Sequence, residues 1–180
     1  MSSENRTSVP NSLNEHWMPF TSNKDFKANP RLITEAKGVY LKTHHGKTQI
    51  DASSGLFCNP LGHGRKEITE AVTKQLDTLD YAQPFQQGFG GSFELATRIS
   101  KHTPGNLNKM FYTICGSTAV ETAIKIAVAY HRAKGNAQRF RFVGRERGYH
   151  GMNIGCVSVG GMINNVKTFA SILMPGVQHM

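Results

Sequence analysis

The stretch from Met110 to Val143 constrains the fold more than any other part of the chain, because it reads strand, helix, strand. Met110–Thr113 is a short apolar run of strand type. Ala119–Ala133 is rich in alanine and carries Ile124, Ala127 and Val128 inside a helical pattern. Phe140–Val143 is again strand-like and runs into Gly144. Strands that alternate with helices in this way build a parallel sheet, so the expected class is α/β.

Upstream, three strand-like runs, Arg31–Ala36, Val39–Thr43 and Lys47–Ile50, are separated by Lys37-Gly38 and His45-Gly46 turn signals. They predict a small antiparallel meander. Arg65–Leu79 places Ile68, Ala71, Val72, Gln75, Leu76 and Leu79 at helical spacing. A further helix is expected over Ser92–Lys101, capped by Ser92, with Phe93, Ala96 and Ile99 on one face and Pro104-Gly105 beyond its end. Residues 1–12 are rich in Ser, Asn and Pro without an apolar period and read as a mobile tail.

Composition narrows the functional classes. With 180 residues, 38% hydrophobic and 18% charged, the chain has enough apolar material for a packed core without disulfide staples. Cys58, Cys115 and Cys156 are odd in number, widely spaced and without a C-x-x-C pair, which argues against a disulfide framework or a zinc site. The start, MSSENRTSVPNS, has no apolar segment after its arginine, and the longest apolar stretches, such as Ile126–Tyr130, fall far short of the roughly 20 residues a membrane span requires. A cytoplasmic protein with no membrane contact is expected.

A net charge of +9 would suit an anionic partner, but the basic residues are scattered and only Arg139, Arg141, Arg145 and Arg147 cluster. Nucleic acid is the first candidate, since Arg147–Ile154 begins like an RNA-binding octamer. Gly151 and Ile154, however, stand where stacking aromatics belong. A small phosphorylated cofactor or an acidic substrate would draw on the same positive field. His44, His45, His63 and His150 lack the helical spacing and acidic partners of metal sites, so no metal is expected.

Two short motifs carry chemistry. Between the strand ending at Thr113 and the long helix lies Cys115-Gly116-Ser117-Thr118. The first N–H groups of a helix are unpaired and attract anions, Gly116 would let backbone approach a phosphate, and Ser117 or Thr118 would add a hydroxyl donor. An ordinary helix cap accounts for the same residues. No G-x-x-x-x-G-K-[ST] or G-x-G-x-x-G run occurs at this turn, so neither a nucleoside triphosphate nor a dinucleotide is indicated. Past the second strand comes Gly148-Tyr149-His150-Gly151, placed where α/β sheets carry their binding loops. Tyr149 either covers a planar ring or packs on the end of the sheet.

In their order and flanks these motifs resemble the class III, or omega-amino acid, aminotransferases among the fold type I pyridoxal-phosphate enzymes, and most of all the beta-alanine:pyruvate type. The resemblance runs from His16–Thr21 through Asp51–Gly64, Leu79–Tyr81, Thr103–Gly105 and Cys115–Ala127 to Gly144–Gly151. It implies that Gly116, Ser117 and Thr118 belong to a phosphate-binding turn, that Tyr149 stacks on the pyridine ring, and that His150 and Gly151 complete the motif. Phe20, Leu56, Phe57 and Phe85 fall where the family lines its substrate pocket, partly from the neighbouring subunit of a homodimer. Departures are Phe57 where a Trp is frequent, Thr118 where an acid is common, and Cys115 in place of Ser.

The resemblance further implies a transfer of an amino group from an omega-amino acid or amine, such as beta-alanine, to a keto acid such as pyruvate, through pyridoxal 5′-phosphate. The family's catalytic lysine, the acid that holds the pyridine nitrogen, and the carboxylate-binding arginine have no counterpart here. Lys125 stands eight residues after Ser117, about 12 Å along a helix, and reads as a solvated face residue. The expected organisation is therefore a tail at 1–12, a segment with the meander at 13–54, and an incomplete cofactor-binding large domain at 55–180. Such a chain is expected to be the N-terminal portion of an aminotransferase and inactive alone, with a non-catalytic dimerisation fragment as the alternative.

Overall fold

The computed structural model describes residues 12–180, and the chain divides into two compact units, Met1–Gly88 and Phe89–Met180. The tail expected at residues 1–12 lies outside the described residues, apart from Ser12.

The first unit opens with a short helix α1 (Asn23–Ala28), entered through Asn23, whose side chain accepts from the Met18 N–H and donates to the Met18 carbonyl, both at 2.9 Å. Phe26 is the buried residue of α1, and the Arg31 guanidinium stacks over its ring. The meander follows as β1 (Ile33–Lys37), β2 (Tyr40–Thr43) and β3 (Thr48–Ile50), antiparallel in the order β1-β2-β3. Lys37 faces Tyr40 across a two-residue turn in which Gly38 takes a φ of +58°, a backbone region open to glycine at little cost. Gly38 also exchanges two backbone hydrogen bonds, of 2.9 and 2.8 Å, with His63, which ties the following loop back onto the meander. Helix α2 (Lys66–Thr78) forms as its period dictates, but Ile68, Val72 and Leu76 on its apolar face remain exposed.

In the second unit, α3 (Gly90–Ser100) begins two residues before the expected start. Ser92 is therefore not the cap; it sits in the first turn, donating its hydroxyl to the Phe89 carbonyl at 2.7 Å. Met110–Thr113, expected as a strand, joins no ladder among the described residues, because a strand is defined by its partner and this run has none there. Helix α4 (Gly116–Ala133) leads to β4 (Phe142–Gly144), and then to α5 (Ile154–Val159), α6 (Ile163–Thr168) and β5 (Val177–His179). Strand β5 pairs parallel with β4, Val143 opposite Gln178, so the parallel pairing expected of an α/β chain is present, with β5 and not Met110–Thr113 as the partner of β4.

The core of this unit is α5. Gly155, Cys156, Val157 and Ser158 are buried in it, against α4, α6, β4 and β5. Small residues make the approach feasible: a side chain at Gly144 would collide with the Val159 carbonyl. Ser158 donates to Ile154 O at 2.6 Å and accepts from the Met174 N–H at 2.8 Å, so its buried hydroxyl is satisfied both as donor and as acceptor.

Candidate functional site

The expected phosphate turn is the first turn of α4. The helix starts at Gly116, three residues earlier than its alanine-rich run suggested, with Cys115 in extended backbone as its cap. Helix formation tolerates Gly, Ser and Thr here because the first N–H groups have no intrahelical acceptor in any case. The first helical bond closes from Ala119 N–H to Cys115 O at 3.0 Å, leaving the N–H groups of Gly116, Ser117 and Thr118 at the open, positive end.

The two motifs meet at Ser117. Its Oγ accepts the Met152 N–H at 3.1 Å, and its carbonyl accepts from the Cys156 thiol at 3.1 Å. One turn further along α4, Glu121 accepts the Gly155 N–H at 2.7 Å. Gly151 lies buried against this corner with φ +118°, and a Cβ there would stand 2.5 Å from Ser117 Oγ and 2.8 Å from its Cα. Only glycine fits that contact. Because Ser117 Oγ serves Met152 as an acceptor, its own hydroxyl hydrogen remains to be donated.

Gly116 contrasts with Gly151, since a Cβ at Gly116 would meet nothing within 4 Å. The first turn therefore faces open space of the kind an anion needs. Tyr149 is 60% exposed, leaving its ring available to a planar partner, and His150 turns its ring toward Gly148. Thr118 Oγ1 lies 3.3 Å from Cys115 Sγ. That hydroxyl, followed by the N–H groups of Thr118 and Ser117, holds the Cys115 thiol below its ordinary pKa. Burial, and secondly the Glu121 charge, push the Cys156 thiol up, in keeping with its role as a neutral donor. Lys125 is exposed on α4.

The residues expected to line a substrate pocket all belong to the first unit. Phe20, Leu56, Phe57 and Phe85 are 83%, 73%, 85% and 71% exposed. Phe20, Leu56 and Phe57 have φ of +50°, +57° and +69°, in the left-handed region that such side chains avoid. The reading of His63 as a loop histidine without an acidic partner is corrected: its Nε2 is 2.9 Å from Asp51 Oδ2, while Asn59 Nδ2 donates to its Nδ1 at 2.8 Å. Sequence reasoning missed both this pair and Glu121. The four-residue step from Ser117 to Glu121 on one helix face was the available signal for the latter.

Among the described residues no group of three or more metal-binding side chains gathers, and no helix is long and apolar enough to cross a membrane. Parallel strands, a helix start with open space before it and a glycine-bearing loop closed against it define an α/β protein. More particularly, the chain belongs to the class III aminotransferases, whose family model matches residues 21–180. It is 48% identical over 168 residues to an omega-amino acid–pyruvate aminotransferase from Pseudomonas putida, covering 93% of this chain and 37% of that protein. A beta-alanine–pyruvate aminotransferase from Pseudomonas aeruginosa is 46% identical over 168 residues, with 93% and 37% covered. The fold matches an omega-transaminase from Pseudomonas jessenii in complex with PMP at a TM-score of 0.88 and 28% identity, covering 94% of this chain and 39% of that one. The chain thus spans little more than a third of the length of these relatives.

Proposed function

We propose that the chain carries the phosphate and ring-stacking side of a pyridoxal 5′-phosphate site, in a cytoplasmic, homodimeric aminotransferase that moves an amino group from an omega-amino acid or amine, such as beta-alanine, to a keto acid such as pyruvate. The contact of Gly151 with Ser117 is the observation that carries this reading. It joins two motifs separated by 34 residues into one corner, with the N–H groups of a helix start, a hydroxyl hydrogen left to donate and an exposed tyrosine beside it. When bound, the cofactor supplies the electron sink of transamination. The chain's own groups bind and orient: Gly116, Ser117 and Thr118 hold the phosphate, Tyr149 covers one ring face, and Gly151 and His150 shape the loop. Phe20, Leu56, Phe57 and Phe85 offer apolar surface to the donor's side chain. Lys125, the lysine of α4, is exposed, and the role proposed for these residues is weak cofactor binding without catalysis of their own.

The test is to incubate the chain with pyridoxal 5′-phosphate, reduce with borohydride and map adducts by peptide mass, while following alkylation of Cys115. Cofactor-dependent protection of Cys115 without a stoichiometric lysine adduct is expected. A single lysine modified in full would show that the chain has its own catalytic lysine. Absence of protection at millimolar cofactor would reject the site. The exposed apolar face of α2 favours a second reading, a non-catalytic association fragment, which predicts concentration-dependent assembly indifferent to cofactor.

A further inference from the structure

Four consecutive residues, Ser54, Gly55, Leu56 and Phe57, have φ of +50°, +59°, +57° and +69°. L-residues visit this region singly; a run of four is a left-handed helical turn, and three of these four carry side chains that disfavour it. Packing does not hold the turn, since Leu56 and Phe57 are among the most exposed apolar residues of the chain. It is held from behind. The Asp51 side chain is 7% exposed, and both of its oxygens are committed. Oδ1 accepts from Ser53 N at 3.2 Å and Ser53 Oγ at 3.0 Å, and Oδ2 accepts from Gly55 N at 2.9 Å and His63 Nε2 at 2.9 Å.

His63 is fixed in turn. Asn59 donates to its Nδ1, which leaves the proton on Nε2 for Asp51, and its backbone is paired with Gly38 of the meander. Within the turn, Phe57 N–H donates to Ser53 O at 2.9 Å and Asn59 N–H to Ser54 O at 2.8 Å. A conformation that costs stability and gains no burial is retained for what it presents.

The geometry points to Asp51 and His63 as positioning residues: through this clamp they hold Ser54–Phe57 left-handed and so set the direction in which Leu56 and Phe57 face a substrate. The inference rests on the proposed aminotransferase reading for the part played by Leu56 and Phe57; the clamp itself does not.

Peptide-resolved hydrogen exchange on the full chain tests it. In Asp51→Ala, exchange across residues 53–59 should accelerate roughly tenfold to a hundredfold, as expected for losing hydrogen bonds to a charged acceptor, while β1–β3 keep their protection. His63→Leu should give the same pattern. Asp51→Asn, which keeps the shape and one acceptor oxygen, should fall between wild type and Asp51→Ala. A Phe57→Trp reporter in a Trp17→Phe background should show a near-ultraviolet circular dichroism band with Asp51 present and lose it in Asp51→Ala. Unchanged exchange at 53–59 would overturn the proposal. Equal loss in β1–β3 with Asp51→Asn would also overturn it, by reducing Asp51 to a general structural residue. Cofactor protection of Cys115 in the wild type is measured alongside: its failure with the clamp intact would remove the proposed cofactor site and leave the turn standing.

Discussion

At Gly116 and Gly151 a single methyl group should have opposite consequences. Added at Gly151, it would press on Ser117 Oγ at 2.5 Å and on the Ser117 Cα at 2.8 Å, in backbone already at φ +118°. Gly151→Ala should therefore lose about 1–3 kcal/mol in urea unfolding, and a companion Ser117→Ala should not restore it, because the backbone contact persists and Met152 N–H loses its acceptor. Added at Gly116, a methyl meets open space, so Gly116→Ala should change stability by less than about 0.5 kcal/mol. It should nonetheless weaken cofactor protection of Cys115 about tenfold or more by standing where a phosphate would lie; unaltered protection would place the phosphate elsewhere. The thiols provide the readout. Cys115, exposed and held below its ordinary pKa by Thr118 and the helix start, should react with iodoacetamide at neutral pH well before Cys156, which is buried and pushed up. Faster labelling of Cys156 would mean that α5 does not stay packed.

Periodicity was legible wherever an element organises itself locally. The sequence spacing placed α2 within a residue at each end, and the meander is bounded by glycine turns that the chain states outright. Elements made by their neighbours were not legible. Ile154–Val159 contains two valines and no helical period, yet it is helical because Glu121 receives its Gly155 N–H and because α4, β4 and β5 surround it. Met110–Thr113 has strand composition and no ladder, and β5 is three residues whose partner lies more than thirty positions away. The site divides the same way: both motifs could be read from the sequence, while their closure through Ser117 and Glu121 is tertiary. Glu121→Ala should accordingly cost about 1–2 kcal/mol and release exchange in α5, whereas Glu121→Gln, keeping an acceptor, should retain most of the protection. The left-handed turn responds to pH in a defined direction. The His63 hydrogen bond, ahead of Ser53 and Gly55, holds the Asp51 carboxyl below its usual range. An unfolded aspartate titrates near about 3.9, so the unfolded state takes up the proton first and stability rises with pH in that region. The contribution is present in full above that pH and is lost as pH falls through the lower folded value. Protection factors at residues 53–59, taken against the intrinsic rate at each pH, should hold at pH 6 and fall below about pH 4; a loss of protection that begins near neutrality would exclude Asp51 as the group responsible.

Large apolar side chains stand exposed in both units: Ile68, Val72 and Leu76 along α2 in one, and Phe111, Ile114 and Val143 in the other, are all more than 45% exposed. Surfaces of this kind are stable in water only when something covers them. The purified chain should bind a dye such as ANS and should assemble as its concentration rises. Association alone does not separate the two functional readings, because an aminotransferase portion and a docking fragment share the same uncovered faces. Cofactor linkage does. A ligand that binds the folded chain and not the unfolded one raises stability by RT ln(1 + [L]/Kd), about 1.4 kcal/mol for each tenfold increase above Kd. If the corner formed by Gly116, Ser117, Tyr149 and Gly151 is a cofactor site, pyridoxal 5′-phosphate should raise the unfolding midpoint in that logarithmic manner at fixed protein concentration. Gly116→Ala should shift the curve to higher cofactor without altering its slope. A midpoint that follows protein concentration and ignores cofactor would instead assign the chain to association alone, because its apolar faces would then be the only part of the molecule that a partner stabilises.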